Sequence, residues 1–308
     1  MRIFDNLNSY SSEKESILTI GTFDGVHIGH KKILKRLIEE SKKNNFSSLV
    51  MTFFPHPRMI LNKSDEIKMI DTIDEKIYLL EKTGLDNLII HPFDDNFSKT
   101  TAKEFVAEIL VKKLRVKQII IGYDHKFGKD REASVEDLKK FGADYMFNVN
   151  EIPAQEIDSI KISSTKIRDA ILNGEIEKCN KFLDRNFILT GKVVYGDGLG
   201  KKINFPTANI EIKEPYKIIP KNGVYLVKTK INSNIYFGMM NIGVRPTVGG
   251  RNKSLEIHFF NFKDNIYDKT ISIEIINKIR DEEKFSSIDK LKIQLKKDEQ
   301  FCLKLINK

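Results

Sequence analysis

The stretch GTFDGVHIGH, Gly21 to His30, decides how the first half of the chain is read. It ends the apolar, β-branched run that starts at Ser16 and opens into GHKKILKRLIEESKKNN, where Ile33, Leu34, Leu37 and Ile38 stand at helical spacing. Strand, tight glycine turn and helix make the first βα unit of an α/β domain. In open α/β sheets ligands bind at the carboxyl ends of the strands, where this turn lies. Gly21 and Gly25 let the backbone turn tightly, and Gly29 allows a close approach to the start of the helix. A helix N-terminus adds unpaired N–H groups and about half a positive charge, which suits a phosphate. His27 and His30 can then donate imidazole hydrogen bonds to phosphate oxygens. On these residues alone two other readings stay open: an HxxH metal pair, for which no third ligand is visible nearby, or imidazoles that only cap or pack.

Outward from this unit the same alternation continues. SSLVMTFF, DNLIIHPF and VKQIIIGYD read as strands, with TIDEKIYLLEKTG and TAKEFVAEILVKKL as the helices between them. A mostly parallel sheet covered on both faces is expected. SSTKIRDAILNGEIEKCNKFL adds more helix, broken at Gly174. From about Phe187 the texture changes to short strands separated by Gly and Asn turns, in FILTGKVVYGDGLG, NGVYLVKTKINSNIYFGMMNIG, SLEIHFFNF and KTISIEIINKIR. Such spacing predicts a sandwich or small barrel, closed by a terminal helix over SIDKLKIQLKKDEQFCLKLI. The expected domains are residues 1–186 and 187–308.

A length of 308 residues is ample for two cores. No apolar run approaches the ~20 residues that span a bilayer, so no membrane span is expected. The start MRIFDNLNSYSSEKES reads as neither a secretory signal nor a transit peptide, and a cytoplasmic protein is expected. Cys179 and Cys302 have no second Cys or His at ligand spacing and read as packing residues. The net charge of +9 comes from scattered lysines, with no basic helix and no Arg/aromatic interleaving, so no nucleic-acid partner is expected.

Several stretches carry a family resemblance. GTFDGVHIGH resembles the HxGH signature of the nucleotidyltransferase superfamily, in the extended form found in bacterial FAD synthetases, the bifunctional riboflavin kinase/FMN adenylyltransferases. TFFPHP, IIIGYDHKFGKDR and ISSTKIRDAILNGEI are similar to later motifs of that family, in order. The resemblance implies a Rossmann-like nucleotidyltransferase domain followed by a small β-barrel riboflavin kinase domain with a terminal helix. It also implies ATP as co-substrate, Mg²⁺ as cofactor, and riboflavin, FMN and FAD as substrates and products. Adenylyl transfer to FMN uses a phosphate oxygen already ionised at neutral pH, so catalysis reduces to positioning and charge stabilisation. By resemblance His27, His30 and Arg168 stabilise the phosphates, and Gly21, Phe23, Asp24, Gly29, Ser164 and Thr165 bind ATP. Arg168 shares a helix face with Ser164 and Thr165. Asp124 is implied to contact nucleotide or flavin.

GKVVYGDGLGKKINFPTANI resembles the riboflavin kinase signature. Thr207 and Asn209 are two apart, so in an extended segment both oxygens point the same way. Neutral oxygens together with ATP phosphates suit Mg²⁺, which takes few protein ligands. Phosphorylating riboflavin needs a base, because the nucleophile is a neutral hydroxyl. The resemblance gives that role to Glu256 in LEIHFFNF, with Gly200 and Lys201 on ATP and with Arg245 and Thr247 of NIGVRPT on the flavin. The chain departs from the family at His125, where an aromatic such as Phe is usual, and at LDRNF, which replaces LGRPY. Lys201 stands for Arg, keeping charge without bidentate geometry. Asn204 stands for Gly, a position where Asn tolerates positive φ, and Asn261 and Asp268 replace a frequent Asp and Gly. Two alternatives remain at this level: one activity alone, or a flavin- or nucleotide-binding regulator.

Overall fold

The computed structural model describes residues 1–61, 67–123, 125–153, 162–196, 198–247 and 250–307. The chain divides into two compact units, Met1–Ile67 with Ile73–Ser164, and Lys68–Thr72 with Thr165–Lys308.

In the first unit six strands, β1 (Arg2–Phe4), β2 (Ser16–Ile20), β3 (Ser47–Phe53), β4 (Asn87–His91), β5 (Val116–Gly122) and β6 (Asn148–Ile152), form one parallel sheet in the order β1-β4-β3-β2-β5-β6. The strands read as near-continuous apolar runs because both faces are covered. On one face Leu18, Leu49, Met51 and Ile119 pack with Phe105, Leu110 and Leu138. On the other, Ile17, Val50, Leu88 and Ile120 pack with Leu34 and Leu37 of α1 (Ile28–Asn44) and Leu80 of α2 (Ile73–Glu81). TAKEFVAEILVKKL forms a short α-helix, Ala102–Glu104, that runs on as a π-helix, Phe105–Lys113. From β2 the chain builds outward through β3 and β4, then returns to β5 on the other side. The carboxyl end of β2 is therefore the switch point at which such sheets bind ligands, and GTFDGVHIGH occupies it. Two edge strands, β1 and β6, lie outside the sequence expectation: one is three residues long, and the other, NVNEI, is polar.

The second unit is a closed antiparallel barrel rather than a sandwich. Its strands β7 (Phe187–Val194), β8 (Ala208–Glu211), β9 (Gly223–Ile231), β10 (Asn234–Thr247), β11 (Gly250–Phe259) and β12 (Thr270–Arg280) follow the order β10-β11-β8-β7-β12-β9. The β9–β10 hairpin turns through Asn232 and Ser233, with φ of 47° and 71°, the primed geometry that matches strand twist. Asn204 and Asp268 adopt φ of 63° and 65°, conformations that glycine takes freely and short polar side chains tolerate. Helices α3 (Ser164–Asn173) and α4 (Ile176–Leu183) are separated by Gly174 at φ 76°. The terminal helix α5 (Ile288–Ile306) is capped by Ser287 and buries Cys302 against Val224, Leu226 and Met239. Arg280 holds Asp298 of this helix through Nε at 3.0 Å and Nη2 at 2.8 Å.

Segment Lys68–Thr72 is embedded in this second unit. Met69 bridges to Lys217, and the buried Asp71 carboxylate accepts two hydrogen bonds from Arg185 Nη2, at 2.7 and 2.9 Å. Lys217 Nζ donates to the Ile70 carbonyl at 2.6 Å and lies 4.6 Å over the Phe187 ring.

Candidate active sites

At the end of β2 the backbone turns through Phe23 and Val26, both at positive φ (47° and 39°), and α1 begins after His27. The first turn of α1 carries no acidic side chain, so nothing on the helix competes with an anion for its free N–H groups. The His27 and His30 rings stack, with centroids 3.7 Å apart and planes inclined by 20°. A Cβ at Gly29 would stand 3.1 Å from His27 Cε1, so the missing side chain makes room for the histidine's own ring. Phe23 supports the pair from beneath, 5.0 Å from the His30 ring. Both Nδ1 atoms are buried without a hydrogen-bond partner among the described residues.

Burial pushes the His27 pKa down to about 4. His30 is held well below its ordinary value by burial, then by His27 and Lys76. Both imidazoles are therefore neutral at pH 7, and each keeps one N–H to donate. Asp24 and Phe23 are buried; the Asp24 carbonyl accepts from Ser164 Oγ at 2.9 Å. Thr165 and Arg168 belong to the second unit, where Arg168 Nε donates to the Lys68 carbonyl at 3.0 Å. Asp124 lies outside the described residues, and His125 stacks on Phe127 at 6.3 Å.

In the barrel, strand register assembles the second group. Glu256 on β11 pairs with Asn209 on β8 on one side and with Asn241 on β10 on the other. Directly opposed residues share a sheet face, so a carboxylate lies between two amides, while Leu255 and Ile257 turn inward and are buried. A Cβ at Gly196 would run into the Asn209 amide, and one at Gly200 would strike the Phe205 carbonyl and stand 3.2 Å from Thr207 Oγ1. Without side chains, Gly196 lies close against Asn209 and Gly200 close against Thr207. Lys201 is exposed on the short helix Leu199–Lys202. His258 shares the Glu256 face, and its Nδ1 lies 2.8 Å from the Pro206 carbonyl. Arg245 and Thr247 lie on β10, opposite Asn252 and Gly250; their side chains are outside the described residues.

Two residues enter these neighbourhoods without a sequence-based expectation. Asn241 begins NIGVRPT, yet only strand register shows it beside Glu256. Lys76 is buried, and its Nζ donates to the Thr22 carbonyl at 2.7 Å. Its i, i+4 relation to Leu80, on the apolar face of α2, is the available signal.

Residues 9–166 match the family model of FAD synthetase, and residues 183–306 that of riboflavin kinase. The bifunctional riboflavin kinase/FMN adenylyltransferase of Buchnera aphidicola subsp. Schizaphis graminum is 39% identical, over 100% of this chain and 98% of its own length. The protein of the same name from Escherichia coli K12 is 36% identical over 94% of this chain and 93% of its own. A crystal structure described as a macrolide-efflux protein from Streptococcus pneumoniae has the same fold, with a TM-score of 0.88 at 32% identity and 97% of each chain covered. Among the described residues of this chain, no helix is long and apolar enough to cross a membrane. Matched by both models in order and by relatives along its full length, the chain belongs to the bifunctional riboflavin kinase/FMN adenylyltransferase family.

Proposed function

We propose that residues 1–186 perform adenylyl transfer and residues 187–308 phosphorylation, in a chain that has both riboflavin kinase and FMN adenylyltransferase activities. Riboflavin becomes FMN at one site, and FMN becomes FAD at the other. The observation that carries the division is the contrast between a stacked, neutral imidazole pair at a helix N-terminus and a carboxylate set between two amides on a barrel face.

In the first reaction a phosphate oxygen of FMN attacks the α-phosphorus of ATP and pyrophosphate leaves. The attacking oxygen carries no proton at pH 7, so neutral imidazoles suffice. His27 and His30 donate to the phosphate oxygens where charge develops, alongside the N–H groups of α1. Gly21, Phe23, Asp24 and Gly29 give the loop its shape, and Ser164 fixes it through the Asp24 carbonyl. Thr165, Arg168 and Asp124 are assigned to the nucleotide or flavin on their motifs.

In the second reaction the ribityl hydroxyl attacks the γ-phosphorus, ADP leaves, and Glu256 takes the proton. The donor set beside it fits Mg²⁺: Thr207 and Asn209 offer neutral oxygens close to a glycine loop, as a cation that retains waters and binds phosphates requires. The ion supplies charge neutralisation on the ATP phosphates when bound. Gly200 and Lys201 are assigned to ATP, and Arg245 and Thr247 to the flavin. Two buried cysteines without a disulfide suit a reducing cytoplasm.

Incubating the protein with riboflavin, ATP and Mg²⁺ and separating the flavins tests the whole reading. FMN and FAD should both accumulate. FMN alone removes the adenylyltransferase half, and no product removes both.

A further inference from the structure

A buried ammonium is costly unless it is hydrogen-bonded, and Lys76 is 1% exposed. Its Nζ donates to the Thr22 carbonyl at 2.7 Å, which also accepts from Thr52 Oγ1 at 3.1 Å. The residues that follow Thr22 are those the backbone tolerates least. Phe23 and Val26 hold φ of 47° and 39°, and a β-branched residue in that region persists only where its surroundings over-determine it. Three side chains from outside the loop supply that determination: Lys76 and Thr52 on the Thr22 carbonyl, and Ser164 on the Asp24 carbonyl at 2.9 Å. Only Lys76 among the three brings a charge, and that charge contributes to holding His30 neutral.

We infer that Lys76 is a positioning residue for adenylyl transfer: its ammonium clamps the Thr22 carbonyl and so fixes the loop that carries the His27–His30 pair. The inference rests on reading those imidazoles as the phosphate-binding groups. Lys76 is too deeply enclosed to meet ATP itself, and it acts through the loop.

Misplacing reacting groups by about an ångström costs on the order of 10²-fold in rate. In the full-length protein Lys76→Met should therefore lower kcat for FMN-to-FAD conversion by roughly that factor, with KM for ATP within about threefold of wild type. Riboflavin phosphorylation in the same preparation should stay unchanged and reports that the protein is folded. A lysine that merely packs its stem would leave kcat within about threefold, since methionine preserves the stem; that result overturns the clamp. Should Lys76→Met lose both activities, Lys76→Leu, a second apolar replacement without a donor, is judged by the same kcat criterion. His27→Ala and His30→Ala run in parallel: if they leave FAD formation intact, the imidazole reading falls. If they abolish it while Lys76→Met does not, only the clamp falls.

Discussion

The groups proposed to work at the two ends of this chain are embedded in opposite ways. His27 is buried and His30 half-buried at the carboxyl edge of a parallel sheet, their rings stacked on each other, with the His27 pKa held down near 4. Glu256 stands half-buried on the face of an antiparallel barrel, between Asn209 and Asn241. On the proposed assignment the difference follows the protons. A group that must present a fixed N–H to a phosphate gains from burial, which keeps it neutral and strengthens its hydrogen bonds in a low-dielectric site. A group that must accept a proton and then release it works at a surface that water can reach.

The contrast breaks most sharply at Glu256. Glu256→Gln should reduce FMN formation by about 10²–10⁴-fold, the usual worth of a general base, and leave FMN-to-FAD conversion within about twofold. Separate assays started from riboflavin and from FMN measure the two rates; loss of both in a folded protein would mean that the two sites do not work independently. Replacing either imidazole with alanine is the mirror experiment. FAD formation from FMN should drop by about 10²–10³-fold, as when one preorganised donor is removed, and FMN formation should continue.

A pH experiment sharpens the same point through stability. Because the folded-state pKa of His27 lies below the ordinary 6.5, the unfolded chain takes up the proton first. Stability is full above pH 6.5 and falls as the pH drops toward 4, by about 3 kcal/mol from this residue. His27→Gln should remove that part of the acid sensitivity, read as a flatter urea midpoint between pH 7 and pH 4. Smallest is Lys201→Arg, which restores a planar fork at an exposed position; KM for ATP in the kinase reaction should change by less than about threefold.

The sequence shows the first site more completely than the second, for a structural reason. GTFDGVHIGH is contiguous, so strand, turn, imidazoles and helix can be read from one string, and strands buried on both faces announce themselves as apolar runs. The neighbours of Glu256 depend on the register of β11 against β8 and β10, which no local pattern encodes. Strand β6 escapes because NVNEI is polar and lies at an edge. Lys76 escapes because a lysine in an amphipathic helix ordinarily faces water, and its place one turn before Leu80 is a weak signal that packing turns into a buried ammonium.

Segment Lys68–Thr72 makes the chain harder to cut than its paired chemistry suggests. The polypeptide enters the barrel's unit at Lys68, leaves after Thr72 and returns at Thr165. Severing it at residue 186 would keep Asp71 and Arg185 together on the leading fragment, but would part Ile70 from Lys217. The trailing fragment would begin at Phe187 and carry a Lys217 ammonium that has lost its carbonyl acceptor. A gene for the trailing part alone would therefore encode a barrel with an open scar beside β7. The protein has been sewn through that unit twice, and independent use of either half calls for resurfacing along the seam.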